Sequence, residues 1–264
     1  MFEWFLGSMG FGYKDWVGVF YPPGISPRDY LAHYSNYFNA VEMDTTFYGT
    51  PRRATVEQWK AVTPAEFVFC VKTPRVITHE MGLVGAIGLI VEFVNAMRFL
   101  EEKLGVILIQ FPPSFTASHA EALEAFLSEL IPLSSGVRFA IEFRHSSWYV
   151  QATNDLLASY RVCWASTEFP GLPQQVFKTT DFLYLRWIGQ HGSYHHHNYE
   201  RVDKSSDLNA WLECIQDQSS SAQAIYGFFN NDYAGFAAGT CNRFKTIVGL
   251  PVKPLLPPSQ ARLF

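Results

Sequence analysis

The sequence is short of cysteine, of clustered basic residues and of long apolar runs, and each shortage closes a class of function. Its four cysteines, Cys70, Cys163, Cys214 and Cys241, stand far apart without a CxxC pair, so neither a zinc ribbon nor a thioredoxin-type redox site is encoded. Buried free thiols in a cytoplasmic protein are the plain reading. Arg52 and Arg53 are the only adjacent basic pair and the formal net charge is −4, a balance that disfavours a duplex nucleic-acid binder relying on phosphate neutralisation. Nothing approaches the ~18 apolar residues of a membrane span. The opening MFEWFLGSMG contains Glu3, lacks a basic region and reaches Gly7 early, so no signal peptide is expected. There is no GxGxxG after the first strand, no HExxH, and no HxH outside the run His195 to His197. No repeat or low-complexity tract is evident.

What is present is an alternation. Runs rich in β-branched and aromatic residues, Phe5 to Phe11, Ala40 to Phe47, Glu66 to Thr73, Gly105 to Phe111, Arg138 to His145, Arg161 to Ser166, Phe182 to Ile188 and Ala224 to Asn231, read as eight strands. Between them lie helical segments such as Pro27 to Tyr37 behind a Ser26 cap, Ile87 to Leu104, His119 to Ile131 behind Ser118, and Ser206 to Gln218. The last puts Leu208, Trp211, Leu212 and Ile215 on one face. Eight β/α repeats in 264 residues, 48% hydrophobic and without a linker, predict one α/β domain over 1–264. The expected architecture is a (β/α)8 TIM barrel, not necessarily a regular one. A doubly wound open sheet is the alternative.

Side chains alternate along a strand, so one parity faces the barrel interior. That parity collects Glu42 and Asp44 with Thr46 above them, Val68, Cys70 and Lys72, Leu108 and Gln110, Ala140, Glu142 and Arg144, Tyr184 and Arg186, and Tyr226, Phe228 and Asn230. The polar member of each set lies at the C-terminal end, where TIM-barrel sites are built. Glu42, Asp44 and Glu142 against Lys72, Arg144 and Arg186 could form a self-neutralising plug. Buried ion pairs roughly break even against apolar replacements, however, so such a network points to a pocket. Phe11, Tyr13, Trp16, Phe47, Tyr48, Phe111, Trp148, Trp187, Tyr194 and Tyr233 fall at or after strand ends and could line its walls.

The ordered motifs VEMDTTFYGTP, FCVKTPRVITH, ILIQFPPSF, AIEFRHSSW, YLRW and FFNNDYAG resemble the YecE-like family, the domain of unknown function 72, over nearly the whole chain. The resemblance implies a TIM barrel but no defined reaction. It also implies a shared cleft containing Glu42, Tyr48, Lys72, His79, Gln110, Glu142, Arg144, Arg186, Asn230 and Asn231. Asp44 stands where the family commonly carries asparagine, and YLRWIGQHG spaces its His-Gly pair farther from the arginine than is usual.

The first chemistry this set supports is an enzyme acting on a small anionic metabolite, bearing phosphate or carboxylate. Arginine forks would orient the anion. Glu142 is then the expected general acid or base, Lys72 an electrophilic stabiliser or a Schiff-base amine, and His79 a second acid/base group. Glu42, Asp44, Tyr48, Gln110, Asn230 and Asn231 would complete the binding shell. Hydrolysis, isomerisation and lyase chemistry are all compatible, and no cofactor is specified. Glycines in IGQHGSYHHHNY and a helix starting near Tyr233 could offer N–H groups to the anion. A second reading is a metal-dependent phosphodiesterase or isomerase using Glu42, Asp44, Glu142, His79 and His145, although three cations on the same face oppose a dication. His195 to His197 read as a lid segment or an adventitious metal binder. A third reading is a non-catalytic protein binding a nucleotide or another small ligand.

Overall fold

The computed structural model describes residues 2–256. Nine short strands in chain order, β1 (Glu3–Ser8), β2 (Ala40–Met43), β3 (Val68–Lys72), β4 (Leu104–Gln110), β5 (Arg138–Glu142), β6 (Cys163–Trp164), β7 (Ser166–Glu168), β8 (Phe182–Trp187) and β9 (Ala224–Phe229), form two parallel sheets. Their orders are β2-β3-β4-β5-β6 and β1-β9-β8-β7. The sheets join at both edges into a TIM barrel. At one edge, β6 pairs with β5 while β7 pairs with β8, with Ala165 N donating to Ile141 O between them at 2.8 Å. One stave of chain thus serves its two neighbours with different residues, which is why the single sixth strand expected from sequence is split.

The other edge is spliced largely by side chains. Met9 bridges Glu42, and Gly10 N donates to Glu42 O at 2.7 Å. Ser8 N donates to Tyr34 Oη at 2.7 Å, and that hydroxyl donates to Ala40 O at 3.1 Å. Asn39 accepts from Leu6 N and donates to Trp4 O. Gly7 makes this closeness possible, since a Cβ there would lie 1.9 Å from Ala40 O.

The helices are α1 (Tyr30–Tyr34), α2 (Arg53–Ala61), α3 (Ile87–Met97), α4 (Ala120–Leu133), α5 (Gln151–Ser159), α6 (Ser205–Gln218), α7 (Asn231–Ala234) and α8 (Ala237–Ile247). Three differ from the sequence expectation. The segment from Pro27 begins as a 3-10 turn capped by Ser26 and ends at Tyr34, whose side chain is committed to the barrel seam. The long helix expected over Ile87 to Leu104 stops at Met97 and tightens into a 3-10 segment in which Glu101 has φ 54°. There Lys103 reaches across to the carbonyls of Lys60 and Thr63. Ser118 lies within the turn before α4 and bonds Thr116 instead of capping the helix.

Strand parity divides the interior into two layers. Val41, Met43, Phe69, Val71, Ile107, Ile109, Leu183, Leu185 and Trp187 pack against helix residues such as Ile90, Phe93, Leu208, Trp211 and Ile215. Inside the barrel a separate cluster holds Met9, Ala40, Val68, Cys70, Leu108, Ala140, Tyr184, Tyr226 and Phe228. The barrel floor is therefore apolar, and polar inward positions are left to the C-terminal mouth. No helix among the described residues is long and apolar enough to cross a membrane.

Candidate active site at the barrel mouth

Glu42, Glu142 and Arg186, all buried, lie at or next to the C-terminal ends of β2, β5 and β8. Arg186 donates from Nε and Nη2 to the two oxygens of Glu42, at 2.9 and 2.7 Å, and from Nη1 to Glu142. Tyr184 Oη adds a 2.6 Å bond to Glu42, and Met9 Sδ lies 3.5 Å from Arg186 Nη2. Arg144 Nε takes the other oxygen of Glu142. This lattice satisfies itself. Arg186, expected as a ligand-binding fork, is turned inward to two carboxylates, and Glu42 is its counterion.

The same pairing decides the state of Glu142. Burial favours its neutral form, but Arg144 and Arg186 outweigh burial and hold it down to about 2. Such a carboxylate is a poor proton carrier near neutrality. Burial likewise opposes the charge of Arg186, and Glu142 and Glu42 more than restore it.

Above the lattice stand four partly exposed polar groups, Asp44, Lys72, His79 and Arg144. Lys72 Nζ lies 4.0 Å from the centre of the Phe47 ring and has no hydrogen-bond or ion-pair partner among the described residues. Burial and then the neighbouring Arg186 lower its pKa to about 8, against the pull of Asp44, Glu142 and Glu42. Asp44 moves the other way. Burial and then the charge of Glu42 push it up to about 7, against Arg186 and Lys72.

His79 sits in the π-helical turn Val76–Glu80 that follows β3, a distortion frequent at functional sites. Its ring meets Phe47 edge-on at 5.0 Å, and its Nδ1 pairs with Thr78 Oγ1 at 2.8 Å. Burial, then Lys72, Arg75 and Arg144, lower its pKa, which favours the neutral ring. Arg144 lies over Phe169 at 4.1 Å. Its Nε is committed to Glu142, and its terminal Nη groups have no partner among the described residues.

Phe169 is a mouth residue that sequence reasoning missed. It shares the inward parity of Cys163 and Ala165 but falls just beyond the expected end of that strand. Most of the expected aromatic wall lies elsewhere. Trp16, Phe111, Trp148, Trp187 and Tyr233 belong to the layer between barrel and helices, while Phe47 stays at the mouth.

Other expected site residues take different positions. Tyr48 is 81% exposed outside the cluster. Gln110 is buried, donating its amide to Phe111 O. Asn230 stays beside the lattice, its Nδ2 lying 3.7 Å from the Met9 sulfur that Arg186 also touches, while its Oδ1 accepts from Asp232 N at 2.9 Å. Asn231 Oδ1 accepts from Ala237 N at 2.9 Å and from Trp16 Nε1 at 3.3 Å, so Asn231 caps α8 and does not reach the mouth. Asp232 N and Ala237 N, two of the N–H groups near Tyr233 expected to receive an anion, are thereby taken.

His191 is exposed against Asp232 at 3.3 Å, and His197 meets the same carboxylate at 3.3 Å. Asp15 accepts from His197 N at 3.0 Å. His145 bonds Ser147 in its own turn. Among the described residues no three His, Cys, Asp or Glu side chains converge to hold a metal. Surface hollows of about 500 and 650 Å³ lie by Arg138 and Arg161 and by Lys60 and Glu101, away from the mouth residues.

A parallel barrel with its titratable groups gathered at the C-terminal mouth defines a TIM-barrel protein with an acid–base cluster. Within that class the chain belongs to the family described as "Protein of unknown function DUF72", which it matches over residues 5–262. It is 24% identical to the UPF0759 protein YunF of Bacillus subtilis over 96% of this chain and 97% of that protein. To the UPF0759 protein YecE of Escherichia coli K12 it is 28% identical over 151 residues, 57% of this chain and 52% of YecE. That match spans about half the length of the relative. A solved DUF72 family protein from Thermotoga maritima superimposes with a TM-score of 0.78 at 30% identity, covering 94% of this chain and 99% of the other. One from Enterococcus faecalis gives 0.75 at 20% identity, covering 98% and 99%.

Proposed function

We propose that this chain is an enzyme that moves protons on a small metabolite bearing a carboxylate or phosphate. The observation that carries the reading is a lysine amine at the barrel mouth, 4.0 Å over the Phe47 ring and without a hydrogen-bond or ion-pair partner among the described residues, whose pKa is lowered to about 8 beside a carboxyl raised to about 7. Groups whose pKa lies near the working pH transfer protons most efficiently. Asp44 is assigned as general acid and base, and Lys72 as its electrophilic partner. His79 is a neutral hydrogen-bonding group at the rim. Arg144, whose Nη groups have no partner among the described residues, binds the anion. Glu142, Glu42 and Arg186 fix the floor on which these groups stand. The four cysteines are free, which suits a cytoplasmic setting.

The test is a thermal-shift panel of phosphorylated metabolites, carboxylates and divalent metals on wild type beside Lys72→Met, followed by NMR assay of stabilising compounds with Asp44→Asn. A ligand that binds only the native state raises its stability. The expected result is an anion whose stabilisation disappears in Lys72→Met and whose conversion is lost in Asp44→Asn. Stabilisation by metal alone, or an anion recovered unchanged from wild type, overturns the reading.

A further inference from the structure

Lys72 differs from the other cations of the mouth in what it leaves unused. Arg186 spends its fork on Glu42 and Glu142, and Arg144 spends Nε on Glu142. The amine of Lys72 lies 4.0 Å over the Phe47 ring and has no hydrogen-bond or ion-pair partner among the described residues. Its main chain is fixed, since Thr46 Oγ1 donates to Lys72 O at 2.6 Å and to Met43 O at 2.7 Å. A primary amine held near a guanidinium, partly desolvated and open to the mouth, is the setting in which lysine becomes a nucleophile.

We propose that Lys72 forms an imine with the carbonyl of an anionic aldehyde or ketone, the oxo group bonding to Lys72 while the carboxylate or phosphate lies on Arg144. This rests on the acid–base reading above and names its substrate class.

The step balances within the residues present. The lone pair of neutral Lys72 Nζ attacks the carbonyl carbon, the C=O π pair moves to oxygen, and one amine proton passes to that oxygen to give a carbinolamine. Protonated Asp44 then gives its proton to the hydroxyl. The C–O bond breaks, water leaves, and nitrogen supplies the pair for the C=N bond. The products are an iminium cation, Asp44 carboxylate and one water. The new cation forms beside Glu42, Asp44 and Glu142, whose charges stabilise it. Asp44, now ionised, is the group that removes a proton from the carbon next to the iminium. Phe47 covers the linkage from one side.

The experiment is reductive trapping. Wild type, Lys72→Arg and Asp44→Asn are each incubated at pH 7 with glyoxylate or pyruvate and cyanoborohydride, with propanal as the uncharged control, and adducts are located by peptide mass spectrometry. The expected result is one adduct on Lys72, absent in Lys72→Arg, forming roughly a hundredfold faster than on exposed surface lysines of ordinary pKa. The acids should outrun propanal. Circular dichroism of Lys72→Arg guards against loss by misfolding. Labelling spread evenly over surface lysines, or equal in wild type and Lys72→Arg, overturns the proposal. Trapping at Lys72 that is indifferent to Asp44→Asn keeps the imine and removes Asp44. Conversion of an anion that depends on Asp44 without any trapping keeps the acid–base reading and removes the imine.

Discussion

Arg186 grips Glu42 with two parallel N–H donors, Nε at 2.9 Å and Nη2 at 2.7 Å, across 144 residues of chain. This pair, shared with Glu142 through Nη1, explains why charges can occupy the end of buried strands. They complete one another, and they set the electrostatic field in which Asp44 and Lys72 titrate.

Removing one member should therefore cost far more than removing all. Arg186→Met leaves buried Glu42 without a cationic partner and Glu142 with Arg144 alone and should destabilise by roughly 3–5 kcal/mol, whereas apolar replacement of Arg186, Glu42 and Glu142 together should recover most of that. Urea unfolding of both variants checks this. A single variant as stable as wild type would show that the lattice does not hold the fold.

The three tuned groups give stability a shaped pH dependence. Asp44 keeps its proton to about 7 in the native state against an ordinary 3.8. The native state thus binds more protons than the unfolded chain across that window, and stability falls there as pH rises. Lys72 gives up its proton near 8 against 10.5, so stability recovers between those values. Glu142, held at about 2 against 4.5, contributes stability above 4.5 that is lost as pH falls toward 2. Denaturation of Asp44→Asn should lack the decline below neutrality, and Lys72→Met should lack the alkaline recovery. Curves superimposing on wild type would contradict these assignments.

Glu142→Gln should act on position more than on proton transfer. Arg144 loses its ionised partner, so anion affinity is expected to weaken by about tenfold or more, the loss of one charge-assisted hydrogen bond worth ~1.5–3 kcal/mol. The alkaline limb of any pH–rate profile should move to lower pH, because Lys72 loses a charge that raises its pKa, while both limbs persist. Loss of one limb would return Glu142 to the role of acid or base.

Two changes far from the mouth test the scaffold. Lys103 is 5% exposed and donates to Lys60 O at 2.7 Å, Thr63 O at 2.8 Å and Thr63 Oγ1 at 3.1 Å. Lys103→Met should cost about 1–3 kcal/mol by stranding those carbonyls.

Gly7→Ala forces a Cβ within 1.9 Å of Ala40 O and 2.6 Å of Tyr34 Oη. Wedging apart the side-chain-spliced edge of the barrel is expected to cost at least ~1–3 kcal/mol. Thermal melts of both variants read these effects, and unchanged midpoints would refute them.

The sequence by itself determined the strands, their inward parity and the placing of polar residues at their C-terminal ends, because alternation along a strand is a local property. Glu42, Lys72, Glu142 and Arg186 were legible for that reason. Parity names a side and not a partner, however. Only the tertiary structure decided that Arg186 serves Glu42 and Glu142, that Asn231 caps α8, that Phe169 faces the mouth, and that Asp44 and Lys72 titrate near neutrality. Hydrogen-bond geometry and electrostatic coupling fall steeply with distance, and those distances are set by residues far apart in the chain that only barrel closure brings together.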